Sequence, residues 1–195
     1  MLAIIGLGNT GEKQSEKSYY EHNRHNIGFL VLDSIARHYN FSNFTGKDRY
    51  EVSTNNINNI KTLLIKPVPY MNNSGIGVQR ATNFYKITED NIVVIHDDLD
   101  LPFLNVRYKT NSGDGGQRGV RDIHEKIGKN IHRIKIGINR PLGNTPVEKW
   151  VLSDFNKNEL AELSIFLELF NRNINLLMNK DFNNFCKEVN QNMEQ

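Results

Sequence analysis

The apolar positions change period along the chain, and the changes mark out alternating strands and helices. Leu2-Ala3-Ile4-Ile5 is a continuous apolar run too short for a helix and reads as a buried strand. Ile27 to Tyr39 (IGFLVLDSIARHY) instead repeats its apolar residues at helical spacing. Tyr50 to Thr54 and Ile60 to Ile65 are predicted strands, and Ser74 to Tyr85 suits a helix with Asn73 or Ser74 as its cap. Ile92-Val93-Val94-Ile95 is apolar and β-branched throughout, as expected of a mid-sheet strand covered on both faces. Phe103 to Tyr108 and Ile134 to Ile138 are further strands around a helix near Gly119 to Ile127, and Glu159 to Met178 is one long amphipathic helix. The alternation predicts an α/β fold with helices on both faces of a central sheet.

Composition narrows the class. A chain of 195 residues without repeats or a Pro, Gly or Ser-rich linker is expected to form one domain over residues 1–195. With 24% charged and 38% hydrophobic residues, it has no apolar run near the roughly 20 residues that a membrane helix needs. The single cysteine, Cys186, has no partner for an internal disulfide or a cysteine metal site. No basic residue precedes the short apolar start, so a cytoplasmic location is expected. The net charge of +2 conceals an asymmetry, because Arg107 to Arg140 holds nine basic residues against three acidic ones. Such a segment suits a phosphate-bearing partner, although basic runs are also found as solvated edges.

Gly6-Leu7-Gly8-Asn9-Thr10-Gly11 spells the glycine pattern of a dinucleotide-binding turn. That chemistry requires a helix starting at the glycines and an acidic residue ending the next strand. Here the glycines precede the polar stretch EKQSEKSYYEHNRHN, and the apolar helix starts only at Ile27. The glycines are read instead as a sharp turn at the carboxyl end of the first strand, leaving Asn9 exposed beside the sheet as a candidate ligand contact.

GLGNTG, then Tyr20 and Asn23-Arg24-His25-Asn26-Ile27-Gly28, resembles the start of the bacterial peptidyl-tRNA hydrolase family. Pro69-Tyr70-Met71-Asn72-Asn73-Ser74-Gly75 resembles its Met-Asn-x-Ser-Gly segment, and His96-Asp97-Asp98-Leu99-Asp100-Leu101-Pro102 its acidic segment. Gly113 to Gly119, His132 to Pro141 and Trp150-Val151-Leu152 continue the match in order. The resemblance implies a single-domain three-layer αβα sandwich with a twisted, mixed, mostly parallel sheet. It also implies hydrolysis of the ester between a peptide and the tRNA 3′-ribose by a monomer without metal or organic cofactor. His25 would be the general base, Asp97 its support, and Asn9 and Asn72 would position substrate or water.

The residue chemistry agrees if the substrate is such an ester. A hydrolase without a serine or cysteine nucleophile needs a base for water, and a histidine titrating near neutrality is the usual one. A lone histidine in a polar loop such as His25 is more often a surface or capping residue, but Asp97 at the end of a buried strand can fix its tautomer. The run Asp97-Asp98-Leu99-Asp100 admits a metal site or a turn, and the missing EF-hand spacing favours the turn, with Asp98 and Asp100 ordering the loop. Asn72 is either a helix cap or a spare amide for the oxyanion or the water.

Tyr20 and Tyr70 could stack on unpaired bases of the tRNA end or simply pack, and Met71 lies beside Asn72 in the same candidate binding segment. Lys109, Arg118, Lys135 and Arg140 are the candidate tRNA-phosphate contacts. The chain departs from the family in several places: Thr10 replaces a proline, residues 12–19 lengthen the first loop, and Gln117-Arg118-Gly119 stands for His-Asn-Gly. Lys135 and Asn144 occupy the two positions that resemble a terminal-phosphate clamp. A non-catalytic RNA-binding protein on the same scaffold and a nucleotide-dependent enzyme using the glycine loop remain as alternatives.

Overall fold

Side-chain alternation along β1 (Leu2–Gly6) sets the layering. Leu2 and Ile4 enter one apolar core with Ile27, Val31 and Leu32 of α1 (Ile27–His38). Ala3 and Ile5 enter the opposite core with Val78 and Ala81 of α2 (Ser74–Tyr85). The same division recurs in β5 (Ile92–Asp98), where Val93 and Ile95 face the first core and Ile92 and Val94 the second. The computed structural model describes residues 1–10, 22–68 and 70–193.

The remaining strands are β2 (Thr45–Lys47), β3 (Tyr50–Ile57), β4 (Ile60–Pro67), β6 (Val106–Thr110) and β7 (His132–Gly137). Together they make one seven-stranded sheet in the order β2-β3-β4-β1-β5-β7-β6. The central four, β4, β1, β5 and β7, are parallel, and the flanking strands pair antiparallel. Helix α3 (Arg118–Ile127) packs beside α2. On the other face α1 meets α5 (Lys157–Arg172), and α7 (Phe182–Met193) covers β6. Between α3 and α5 the chain forms the short α4 (Val147–Val151), and α6 (Ile174–Met178) follows α5. The result is the three-layer αβα sandwich with a mixed, mostly parallel sheet. No helix among the described residues is long and apolar enough to cross a membrane.

Four local features differ from the sequence reading. The long helix over 159–178 is broken at Asn173, whose side-chain amide donates to the Leu169 carbonyl at 3.0 Å and competes with the helical ladder. β6 begins three residues later than expected, because Leu104 takes a left-handed φ of 58° and holds the preceding residues in a turn. Helix α2 has no side-chain cap from Asn73; the Gly75 N–H instead donates to the Asp122 carboxylate at 2.7 Å. The first glycines serve close packing: a Cβ on Gly6 would lie 2.4 Å from the Gly28 carbonyl oxygen, so α1 starts directly against β1.

Candidate functional site

The parallel strands β1, β4 and β5 deliver their carboxyl ends to one edge of the sheet, where the chain leaves each in a loop or 3₁₀ turn. His25 lies in the turn Arg24–Asn26, which both neighbours anchor. Asn23 caps the turn by accepting the Asn26 N–H at 3.0 Å. The Asn26 amide then locks Asn9, accepting its N–H at 2.6 Å and donating to its carbonyl at 3.1 Å.

On the other side, buried Arg24 makes a bidentate pair with Glu159 of α5 at 3.0 and 2.9 Å, and donates to Ser153 Oγ at 3.2 Å. Its guanidinium stacks 3.9 Å from the Trp150 ring centroid. Removing Arg24 loses the packing of its buried guanidinium on Trp150 and leaves the Glu159 carboxylate, itself largely buried, with the Asn156 N–H at 2.8 Å in place of a charged partner. Arg24→Ala is therefore expected to lower unfolding free energy by about 3 to 5 kcal/mol in denaturant titration.

His25 Nδ1 sits 2.7 Å from Asp97 Oδ2, with Asp97 buried at the end of β5. The other carboxylate oxygen, Oδ1, accepts from Gln117 Nε2 at 3.1 Å. Gln117 is held in that sense because its Oε1 accepts the Val120 N–H at 2.9 Å, capping α3. Burial alone would lower the His25 pKa, but the charge and hydrogen bond of Asp97 outweigh it and raise the value above that of an ordinary histidine; Arg118 acts in the lowering direction. Burial would raise Asp97, yet His25 and Gln117 hold its carboxyl below the usual range. An ionised Asp97 makes Nδ1 the protonated nitrogen and leaves Nε2 with its lone pair.

His25, Asp97, Asn9, Tyr70, Met71, Asn72, Arg118 and Arg140 line one cavity of about 740 Å³, with Val147, Glu148, Val151 and Leu152 on its α4 side. Asn9 Oδ1 accepts the Met71 N–H at 2.8 Å, so among the described residues its Nδ2 is the end left for a ligand. Among the described residues the Asn72 amide has no hydrogen-bond partner and stands exposed, so it does not cap α2. His96, next to Asp97, is a poor rival for His25: it is fully buried away from the cavity, and burial pushes its pKa down to about 4.

The candidate cations divide. Arg118 and Arg140 line the cavity, whereas Lys135 on β7 and Lys109 on the edge strand β6 do not. Arg118 pairs with Glu148 at 3.1 Å, Arg140 with Asp100 at 2.6 Å, and Lys135 with Asp98. Asp98 also accepts the Asp100 N–H at 2.7 Å, the loop-ordering bond expected of this acidic run. Tyr20 and residues 12–19 lie outside the described residues. Two supporting residues escape a reading of the sequence: Arg24, whose partner is 135 residues away, and Gln117, which first reads only as a departure from a motif.

The peptidyl-tRNA hydrolase family profile matches residues 3–195. The peptidyl-tRNA hydrolase of Aliarcobacter butzleri is 44% identical over 170 residues, 84% of each chain. That of Bartonella bacilliformis is 38% identical over 194 residues, covering all of this chain and 97% of the relative. The crystal structure of peptidyl-tRNA hydrolase from Acinetobacter baumannii superposes with a TM-score of 0.86 at 31% identity, covering 97% of this chain and 94% of that one.

Proposed function

The chain belongs to the peptidyl-tRNA hydrolase family, and we propose that it works through His25 as general base, with Asp97 behind it and Asn9 and Asn72 placing substrate and water. The reaction is hydrolysis of the ester joining a peptide, or an N-blocked amino acid, to the 3′-ribose of tRNA, which returns the tRNA for reuse. The observation that carries the residue assignment is the 2.7 Å contact between His25 and a buried carboxylate, opening on a cavity of about 740 Å³.

Water held near His25 Nε2 gives up a proton as its oxygen bonds to the ester carbonyl carbon. Asp97 stabilises the imidazolium that forms. The tetrahedral oxyanion collapses, the 3′-oxygen of the ribose leaves, and it takes the proton back from Nε2. The products are a tRNA 3′-hydroxyl and a peptide carboxylic acid, which gives its remaining proton to solvent and leaves as the carboxylate, with no covalent enzyme intermediate. The Asn72 amide, unpartnered among the described residues, is placed to donate to the oxyanion or to hold the water. The Asn9 Nδ2 faces the substrate near the ester. Tyr70, exposed at the rim, supplies a stacking surface for the unpaired tRNA end, and Met71 shapes the wall beside it. Arg118 and Arg140 at the cavity, with Lys135 and Lys109 further out, attract the phosphates of the tRNA acceptor arm and its unpaired 3′ end.

We read the enzyme as a cytoplasmic monomer that uses no metal or organic cofactor. Hydrolysis of N-acetyl-aminoacyl-tRNA, with the unblocked aminoacyl-tRNA left intact, tests the activity. Asn72→Ala is expected to lower kcat about 10²- to 10³-fold with little loss of stability, read by steady-state kinetics and thermal melting. A parent-like rate in that variant removes Asn72 from the site.

A further inference from the structure

The cavity mouth carries an ion pair whose position bears on how the enzyme takes up its polyanionic substrate. Arg118 opens α3 directly after its cap Gln117, and Glu148 lies in the first turn of α4. Both line the same cavity as His25, from elements that approach it separately, and their 3.1 Å contact ties α3 to α4 across the entrance. The two side chains are 63% and 79% exposed. An ion pair this wet contributes little stability, so either member can be drawn away at small cost. Arg140, which also lines the cavity, is likewise matched to Asp100, so among the described residues both cavity-lining arginines are paired with a carboxylate in the free enzyme.

We propose that Glu148 is an affinity-setting residue: it occupies the Arg118 guanidinium in the free enzyme and yields it to a phosphodiester of the tRNA 3′ end. The inference rests on the peptidyl-tRNA reading above. A guanidinium presents the same donors to a carboxylate as to a phosphate, so the two acceptors compete for one group. The exchange gives the mouth two states, one in which Arg118 bridges to α4 and one in which it holds substrate. Product tRNA leaves more readily because Glu148 is there to take the guanidinium back. Arg118 is close enough for its charge to be felt at His25, which places the exchange at the reacting end of the substrate rather than along the distant stem.

The experiment measures equilibrium binding of deacylated, fluorescently labelled tRNA over a range of salt concentrations. It compares the parent with Glu148→Gln, Arg118→Gln and the double variant. Glu148→Gln is expected to bind about two- to fivefold tighter at low salt. Arg118→Gln is expected to bind more weakly, with a log-log salt slope shallower by about 0.7 to 0.9, because one phosphate is no longer neutralised. With Arg118 removed, the Glu148 substitution is expected to change affinity less than about 1.5-fold, since the charge it covered is gone. No tightening by Glu148→Gln overturns the proposal. So does equal tightening in both backgrounds, which would mark a general effect of net charge. Because the substituted side chains are exposed, thermal melting is expected to match the parent. Hydrolysis of N-acetyl-aminoacyl-tRNA by the parent is measured alongside: its failure sinks the peptidyl-tRNA reading, whereas its success with unaltered Glu148→Gln binding sinks only this inference.

Discussion

His25→Ala is expected to lose about 10²- to 10⁴-fold in the single-turnover rate of ester cleavage while its affinity for tRNA changes less than about threefold. The split follows from where the side chain sits. His25 is mostly buried on one wall of the cavity and, among the described residues, hydrogen-bonds only inward, to Asp97, so its removal takes away the proposed proton acceptor and leaves the rim in place. The turn that carries it is held by its neighbours, through Asn23 and Asn26 on one side and the Arg24–Glu159 pair on the other. A truncated side chain at position 25 therefore leaves the backbone path intact, and thermal melting checks this. Parallel loss of binding and rate would instead make His25 a substrate contact.

Asp97→Asn is expected to cost a similar factor in rate, by a different route. Among the described residues the Asp97 carboxylate receives two side-chain donors, His25 at 2.7 Å on one oxygen and Gln117 at 3.1 Å on the other. An amide has only one oxygen to offer. Gln117 cannot turn its own amide without losing the α3 cap it makes with the Val120 N–H. The amide at position 97 must then leave a donor facing Gln117 or present its NH₂ to His25, where it favours the tautomer whose Nε2 already carries a proton. Single-turnover kinetics is expected to show the rate loss, and Gln117→Ala in the same background to restore part of it by freeing the amide to rotate. A parent-like rate in Asp97→Asn would leave His25 working without its carboxylate.

The layered fold is legible in the sequence because the relevant signals are local. The β-branched run at 92–95 and the helical spacing at 27–39 and 74–85 coincide with elements of the sheet and its faces. Helix α7 escapes that reading although Phe182, Phe185, Cys186 and Val189 stand at helical spacing, because its asparagine-rich composition does not resemble a helix. The site is legible in its polar residues, each next to a recognisable turn or strand end. What holds them is not. Arg24 reads as one more basic residue until Glu159 and Trp150 are seen folded onto it, and Gln117 gains meaning only when α3 brings it to Asp97. The basic segment likewise looks like open positive surface from residue counts. Pairing of Arg118, Lys135 and Arg140 with Glu148, Asp98 and Asp100 depends on long-range geometry that a count along the chain does not contain.

The dependence of the single-turnover rate on pH, for the parent and Asp97→Asn on N-acetyl-aminoacyl-tRNA, tests the coupled His25–Asp97 base most directly. The base works when neutral, so the rate rises with pH through the His25 titration. In the parent, that rise is expected above the range of an ordinary histidine, because Asp97 stabilises the imidazolium more than burial disfavours it. Removing the carboxylate charge leaves burial in control, and the rise is expected to move to lower pH even as the maximum rate falls. A rise at the same pH in both proteins would contradict the account, since the group that limits the reaction would not be the histidine that Asp97 holds.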